Sequence, residues 1–266
     1  MALFPTSGRT HVDPPTLTAA QGGIFQAAEV KPVSGHELMG VYYDAQTTNQ
    51  LESIDADLAT CVEAAAAEPE GFEFVESEEP IVVNAAVKCW LSGGTEQDYL
   101  AEAERRVETG SEITVERWLW EKLFPAKAID ITPGDVAVKP KAGLGLALEH
   151  VARVYNFVPT VHFGVRLGVS LIGGELVKFD TEDASVVGGA KAVNGAGYFA
   201  KEGPDGKVAA ADEAWLYITG QIVLREGDVS TYTADDLEHN QRTAYGLREY
   251  LVTIDGPVVA ILTTLE

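Results

Sequence analysis

The chain has 266 residues and carries 19 Lys+Arg against 41 Asp+Glu, a formal net charge of −22. A nucleic-acid reader displaces counterions from phosphates with a surplus of Lys and Arg, so this balance argues against sequence-specific DNA or RNA binding. With 46% hydrophobic and 23% charged residues, the composition also excludes global disorder and predicts one large domain or two smaller ones.

Residues 1–35 are rich in Pro, Thr, Gly and Ala, and Pro5, Pro14, Pro15 and Pro32 break any regular element. The segment reads as an extended arm. Either it is a free terminus, or its scattered apolar residues Leu3, Phe4, Ile24 and Phe25 dock on something. From Pro32 to Val87 there is no Lys or Arg, while twelve acids account for more than half of the net −22. Within this stretch Leu51–Ala67 has helical spacing of Leu51, Ile54, Leu58, Cys61, Val62 and Ala65, which predicts a short amphipathic helix. Phe72 and Phe74 alternating with Glu73, and then Ile81 to Trp90, read as strands. The acidic run is expected to be solvated surface, because no tight ligand spacing for a cation accompanies it.

Ser92-Gly93-Gly94 is a break, and Thr95 with Asp98 offers an N-cap. A long helix is expected from there, with Tyr99, Leu100, Ala103, Val107, Val115, Trp118, Leu119 and Leu123 on helical spacing and Pro125 as its stop. Thirty residues in one helix would extend about 45 Å; a kink at Gly110, giving two shorter helices, is the competing expectation. Trp118 and Trp120 lie two residues apart, about 200° around the helix. One therefore belongs to the core, and the other is either an ordinary surface residue or an interface anchor.

Residues 143–155 predict a further amphipathic helix ending before Pro159. The remainder is strand-like: an alternating Val161–Val169, a short Val177–Phe179, and a turn at Gly203–Gly206 between Tyr198–Ala200 and Ala214–Thr219. Gln221–Arg225, Tyr250–Ile254 and a terminal apolar run, Val258–Leu262, follow. One mixed α+β body with an arm and an acidic protrusion is expected.

Cys61 and Cys89 are too few for a disulfide framework and too far apart for a CxxC site, so reduced thiols are expected. No apolar run has the length of a signal peptide or a membrane span, which predicts a soluble protein with no targeting segment and no membrane partner.

Catalytic motifs are weak. The histidines are His11, His36, His150, His162 and His239, and no HExxH occurs. Gly168-Val169-Ser170-Leu171-Ile172-Gly173 has one residue too many for a nucleophile elbow, so Ser170 reads as a strand-end serine. Gly206-Lys207 is followed by Val208 where a phosphate loop needs Ser or Thr. The GxG at Gly143 and Gly145 has Leu148 in the third glycine position. His150 and His162 read as packing or surface histidines; a hydrolase using either one is an alternative. No catalytic residue, cofactor or metal site is assigned.

Two stretches carry a family resemblance. The first runs from Glu79-Pro80-Ile81-Val82-Val83 through Ala86, Cys89 and Gly93-Gly94 to Ala101-Glu102-Ala103 and Val115-Glu116-Arg117-Trp118-Leu119-Trp120. The second runs from Ala214-Trp215-Leu216-Tyr217-Ile218-Thr219-Gly220, with Val223 and Arg225, through Asn240 and Ala244, to Arg248-Glu249-Tyr250 and Ile254-Asp255-Gly256-Pro257-Val258. Together they cover about half the chain. They resemble the major capsid proteins of tailed phages that infect actinobacteria.

The resemblance implies an α+β fold of the Hong Kong 97 type, shared with encapsulins. Its expected parts are an N-terminal arm (1–35), an extended-loop region with peripheral-domain strands (36–94), a spine helix (95–127), an axial domain (128–235) and returning C-terminal strands (236–266). It implies a non-enzymatic shell protein that self-assembles as hexamers and pentamers into an icosahedral head. Its expected partners are further copies of itself, a portal and other head proteins, around DNA held without sequence-specific contact. The expected place is the virion, assembled in the bacterial host cytoplasm. An encapsulin-like compartment shell or an accessory head protein is the alternative. No Lys and Asn pair is assigned to covalent cross-linking. Phe72, Phe74, Trp90 and one of Trp118 and Trp120 are expected to bury against other subunits, since repulsion between acidic neighbours must be overcome by apolar burial and main-chain pairing.

Overall fold

The structure, a computed structural model, describes residues 22–33, 37–44, 74–90, 96–179 and 184–266. One helical turn, α1 (Ile24–Ala27), leads into strand β1 (Glu29–Pro32); β2 (Tyr42–Asp44) and β3 (Phe74–Glu76) pair antiparallel, and β4 (Ile81–Trp90) follows. Helix α2 (Glu96–Trp118) continues through a π turn (Leu119–Leu123) into α3 (Phe124–Lys127). Next come β5 (Ile129–Asp130), α4 (Pro140–Ala152), β6 (Thr160–Gly164), α5 (Val165–Gly173), β7 (Val177–Phe179), β8 (Ala184–Val186) and β9 (Lys191–Gly195). Three antiparallel strands close the chain: β10 (Glu213–Glu226), β11 (Ser230–Asp236) and β12 (Gln241–Thr264).

β12 organises the sheet. Its residues 250–264 run antiparallel to β10, while residues 241–250 pair with β4 and residues 241–247 also pair with β11. The free edge of β10 takes β6 antiparallel at 216–219 and β1 parallel at 223–226. β9, β8 and β7 extend the sheet beyond β6.

Where β10 and β12 run together, both faces are covered. Trp215, Tyr217, Val258, Ala260 and Leu262 pack with α1, the end of α2 and the π turn, whereas Leu216, Ile218, Val259 and Ile261 pack with α4 and α5. A strand buried on both faces reads as a nearly continuous apolar run. A bulge between Thr219 and Gln221 falls at Gly220, whose added Cβ would lie 1.8 Å from the Asp255 carbonyl oxygen. Only glycine lets the two backbones approach there.

The single long helix expected from residue 95 holds against the competing break at Gly110, because Val107, Ser111 and Val115 are buried on both sides of the glycine and hold the helix in place. That packing outweighs the cost of an internal glycine, about 1 kcal/mol. Several other sequence expectations change. Pro125 does not stop the helix at Phe124. The π turn ahead of it widens the ladder where proline has no N–H to give, and the helix ends at Lys127 with Ala128 N–H donating to Phe124 O at 2.8 Å. Val165–Gly173 is a helix and not the end of a strand: Leu167 and Leu171 are one turn apart and fully buried, and helical packing overrides the local alternation. Tyr198–Ala200 is irregular, and the segments read as separate strands near the C-terminus merge into the unbroken β10 and β12.

Residues 22–33 of the expected arm pack on the chain's own body, with Ile24 fully buried and β1 paired to β10. β11, placed by sequence in an axial unit ending at residue 235, lies on β12 beside α2. The Leu51–Ala67 helix, the Thr95 cap and the rest of the arm lie outside the described residues.

Candidate subunit interface

The tryptophan pair separates as its spacing requires. Trp120 is buried in the core of its own chain: it stacks on Tyr198 at 4.6 Å, meets Tyr217 edge-on at 4.8 Å, and donates Nε1–H to Ala200 O at 2.8 Å. Its stacking and hydrogen-bond partners are all internal, so it is not free to anchor a neighbour. Trp118 is half-buried at the edge of the same core and keeps a face outward. Phe74 pairs with Asp44 and Trp90 with Gln241 through their backbones, and Phe72 lies outside the described residues. The β2–β3 pair brackets residues 45–73, a stretch with seven acids and no Lys or Arg.

Sequence reasoning missed a second surface. Val165, Val169 and Ile172 follow one another at i, i+4 and i+7 along α5 and are 54%, 69% and 43% exposed. The buried Leu167 and Leu171 occupy the other face, so α5 is apolar on both. The signal was present as two interleaved i, i+4 pairs, hidden because valine-rich alternation also fits a strand. Next to this surface, a cleft of about 130 Å³ opens between Val165, Arg166, Trp120, Tyr198, Phe199 and Trp215. Phe199 is exposed and lies under the Arg117 guanidinium, 5.2 Å from its ring centroid.

Of the residues weighed for catalysis, His162, Ser170 and Gly143 have internal roles, while His150 is half-buried near the end of α4. His162 is fully buried, and burial pushes its pKa down to about 3. Its Nε2 is 2.9 Å from Thr219 Oγ1, which itself donates to Gly220 O at 3.0 Å, and its Nδ1 is 3.1 Å from the Tyr198 hydroxyl. Each ring nitrogen thus has a hydroxyl partner within hydrogen-bond distance. A neutral ring with both nitrogens occupied bridges β6, β10 and the segment after β9. Ser170 lies on α5, not at a strand end, and its hydroxyl donates to Leu265 O. Gly143 begins no dinucleotide loop; it lies within α4, where an added Cβ would meet Thr263 Cγ2 at 2.7 Å. Lys207 reaches Asp135 at 3.1 Å and Asp130 at 3.6 Å. Among the described residues no three His, Cys, Asp or Glu side chains are placed to share a metal ion, and no helix is long and apolar enough to cross a membrane.

No family model matches the sequence, and no curated protein is similar to it. Solved structures are. One is the head structure of the Helicobacter pylori bacteriophage KHP40, with a TM-score of 0.58 and 12% identity over 98% of this chain and 95% of that one. Another is the SrpI encapsulin complex of Synechococcus elongatus PCC 7942, at 0.55 and 11% over 97% and 93%. A third is the capsid of an empty GTA particle, at 0.54 and 9% over 97% and 95%. A likeness spanning both chains from end to end, across so little identity, is a likeness of fold, and this chain has the Hong Kong 97 type shell fold.

Proposed function

We propose that the chain is a structural shell protein that self-assembles into the icosahedral head of a tailed bacteriophage around double-stranded DNA. The observation that carries this is the end-to-end match to a phage head protein and to other shell proteins. The charge is consistent with the task. A wall with a net charge of −22 covers packaged DNA without gripping it, whereas a basic wall would hold it by counterion release. We assign no enzymatic role to the chain, and the burial and full hydrogen bonding of His162 support that assignment.

In this reading residues 1–35 belong to the N-terminal arm, and residues 36–94 to the extended-loop region with the peripheral-domain strands. α2 and β4 belong to a peripheral domain, and α4 and α5 with β6–β9 to an axial domain. Hexamers and pentamers assemble in the host cytoplasm, with a portal and other head proteins as further partners. Neighbouring copies bury Phe72, Phe74, Trp90 and Trp118, and the exposed Val165, Val169 and Ile172 of α5 meet a second copy of this chain. Light scattering and negative-stain microscopy of the purified chain test the assembly, with closed shells or ring-shaped capsomers as the expected result and a monomer under all conditions as the contrary one. Replacing Phe72 and Phe74 together by Ser should abolish shells and spare the subunit fold. The encapsulin match keeps a compartment shell as the second reading; nuclease-resistant DNA inside particles from an infected host, against packaged protein, separates the two.

A further inference from the structure

Two acids of α2 point inward with no cation beside them among the described residues. Glu112 and Glu116 lie one helical turn apart, and Glu116 is buried. Glu112 Oε1 accepts the Phe25 N–H at 3.0 Å. Glu116 Oε1 accepts the Ile24 N–H at 3.1 Å, and its Oε2 accepts the Gly197 N–H at 2.9 Å. One carboxylate thus joins α2, the N-terminal turn α1 and the segment after β9. The fit is close: a Cβ on Gly197 would lie 2.6 Å from Ile113 O and 2.7 Å from Arg117 N.

No ion pair among the described residues includes either carboxylate. The surrounding groups explain this element by element. α1 supplies only backbone N–H groups here, and its side chains, Ile24, Phe25, Gln26 and Ala27, are uncharged. On β9, Lys191 spends its ammonium on Ala27 O at 2.9 Å. On α2, the Arg117 guanidinium lies over Phe199. Tyr198 and the neutral His162 contribute no positive charge.

Burial therefore dominates: it pushes Glu116 up to about 7 and the charge of Glu112 adds to this, while the backbone N–H groups oppose it. Burial raises Glu112 as well. With α1 lifted away, water reaches Glu116 and its pKa falls back toward the ordinary carboxylate range.

We propose that Glu116, seconded by Glu112, is a proton-linked clasp: seating the N-terminal turn on α2 takes up one solvent proton at Glu116, so acidification tightens the hold on the arm and a rise in pH loosens it. The sign follows from linkage, because the seated state binds the extra proton between the ordinary carboxylate range and neutrality. Within that window the seating equilibrium weakens by up to about tenfold per pH unit as pH rises, and it is flat above it. The inference rests on this chain alone and holds whatever the assembled chain encloses.

Hydrogen–deuterium exchange of the full chain from pH 5 to pH 8, corrected for the intrinsic chemical rate, tests it at the amides of residues 24–28. Protection should fall with rising pH up to about 7 and then level off. Glu116→Gln should remove the slope, and Glu112→Gln should keep it with its midpoint moved to lower pH. Protection that rises with pH, a flat wild-type profile, or a slope that survives Glu116→Gln would overturn the clasp. If Glu116→Gln fails to fold by circular dichroism, the other two profiles decide: a slope absent from the wild type or lost in Glu112→Gln overturns it.

Discussion

The two halves of β12 share a backbone but differ in what covers them. Residues 250–264 lie between the end of α2 and the pair α4 and α5, and are buried on both faces nearly throughout. In residues 241–249 only Ala244 and Gly246 are buried, under Ala103 and Val107 of α2. β4 repeats this one-sided pattern, with Ile81, Val83 and Val87 inward and Val82, Asn84, Ala86 and Lys88 outward. The stability of the chain is therefore concentrated at one end of a continuous sheet, and the other end stands on a single helix.

Matched truncations measure that difference. Leu216→Ala, in the doubly covered part, should cost about 2–5 kcal/mol in denaturant unfolding, whereas Leu247→Ala, half-buried over the singly covered part, should cost about 1 kcal/mol. Equal losses would break the comparison.

The pH dependence of stability sharpens it, because two buried groups of the covered end, His162 and Glu116, pull in opposite directions. His162 has a lowered pKa, so the unfolded chain binds its proton first and stability falls with acidification from about pH 6.5 towards 3. Glu116 has a raised pKa, so its contribution is full in acid and is lost as pH rises through about 7. The two should nearly offset between about pH 4.5 and 6.5. Glu116→Gln should uncover the His162 slope, about 1.4 kcal/mol per pH unit, and urea titrations at four pH values would show it.

Smaller effects test the helix and the exposed face. Gly110 has open space where a Cβ would stand, so Gly110→Ala should raise stability by about 0.5–1 kcal/mol, read as a shift in the denaturation midpoint. Val169→Asp should leave unfolding within about 0.5 kcal/mol of the parent and yet prevent shell formation in the microscope. Shells from that variant would remove α5 from the proposed interface.

Much of the fold was legible because burial on two faces leaves a chemical trace. The runs around Trp215 and Val258 and the i, i+4 pattern of α2 each record a covered surface, and the GPDG turn at residues 203–206 records its own geometry. The candidate interface was legible only in part, since an apolar residue awaiting a neighbour has the same composition as one awaiting its own core; Trp118 and Trp120 are told apart by helical phase once the core side is known. What the sequence determined by itself was local: periodicity, turns, the acidic segment and the apolar content of the central strands. The tertiary structure alone decided that Val165–Gly173 is a helix, that Gly110 and Pro125 leave their helices standing, and that Glu116 holds the N-terminal turn. Each of these depends on groups distant in the chain, whose packing outweighs a local preference of about 1 kcal/mol.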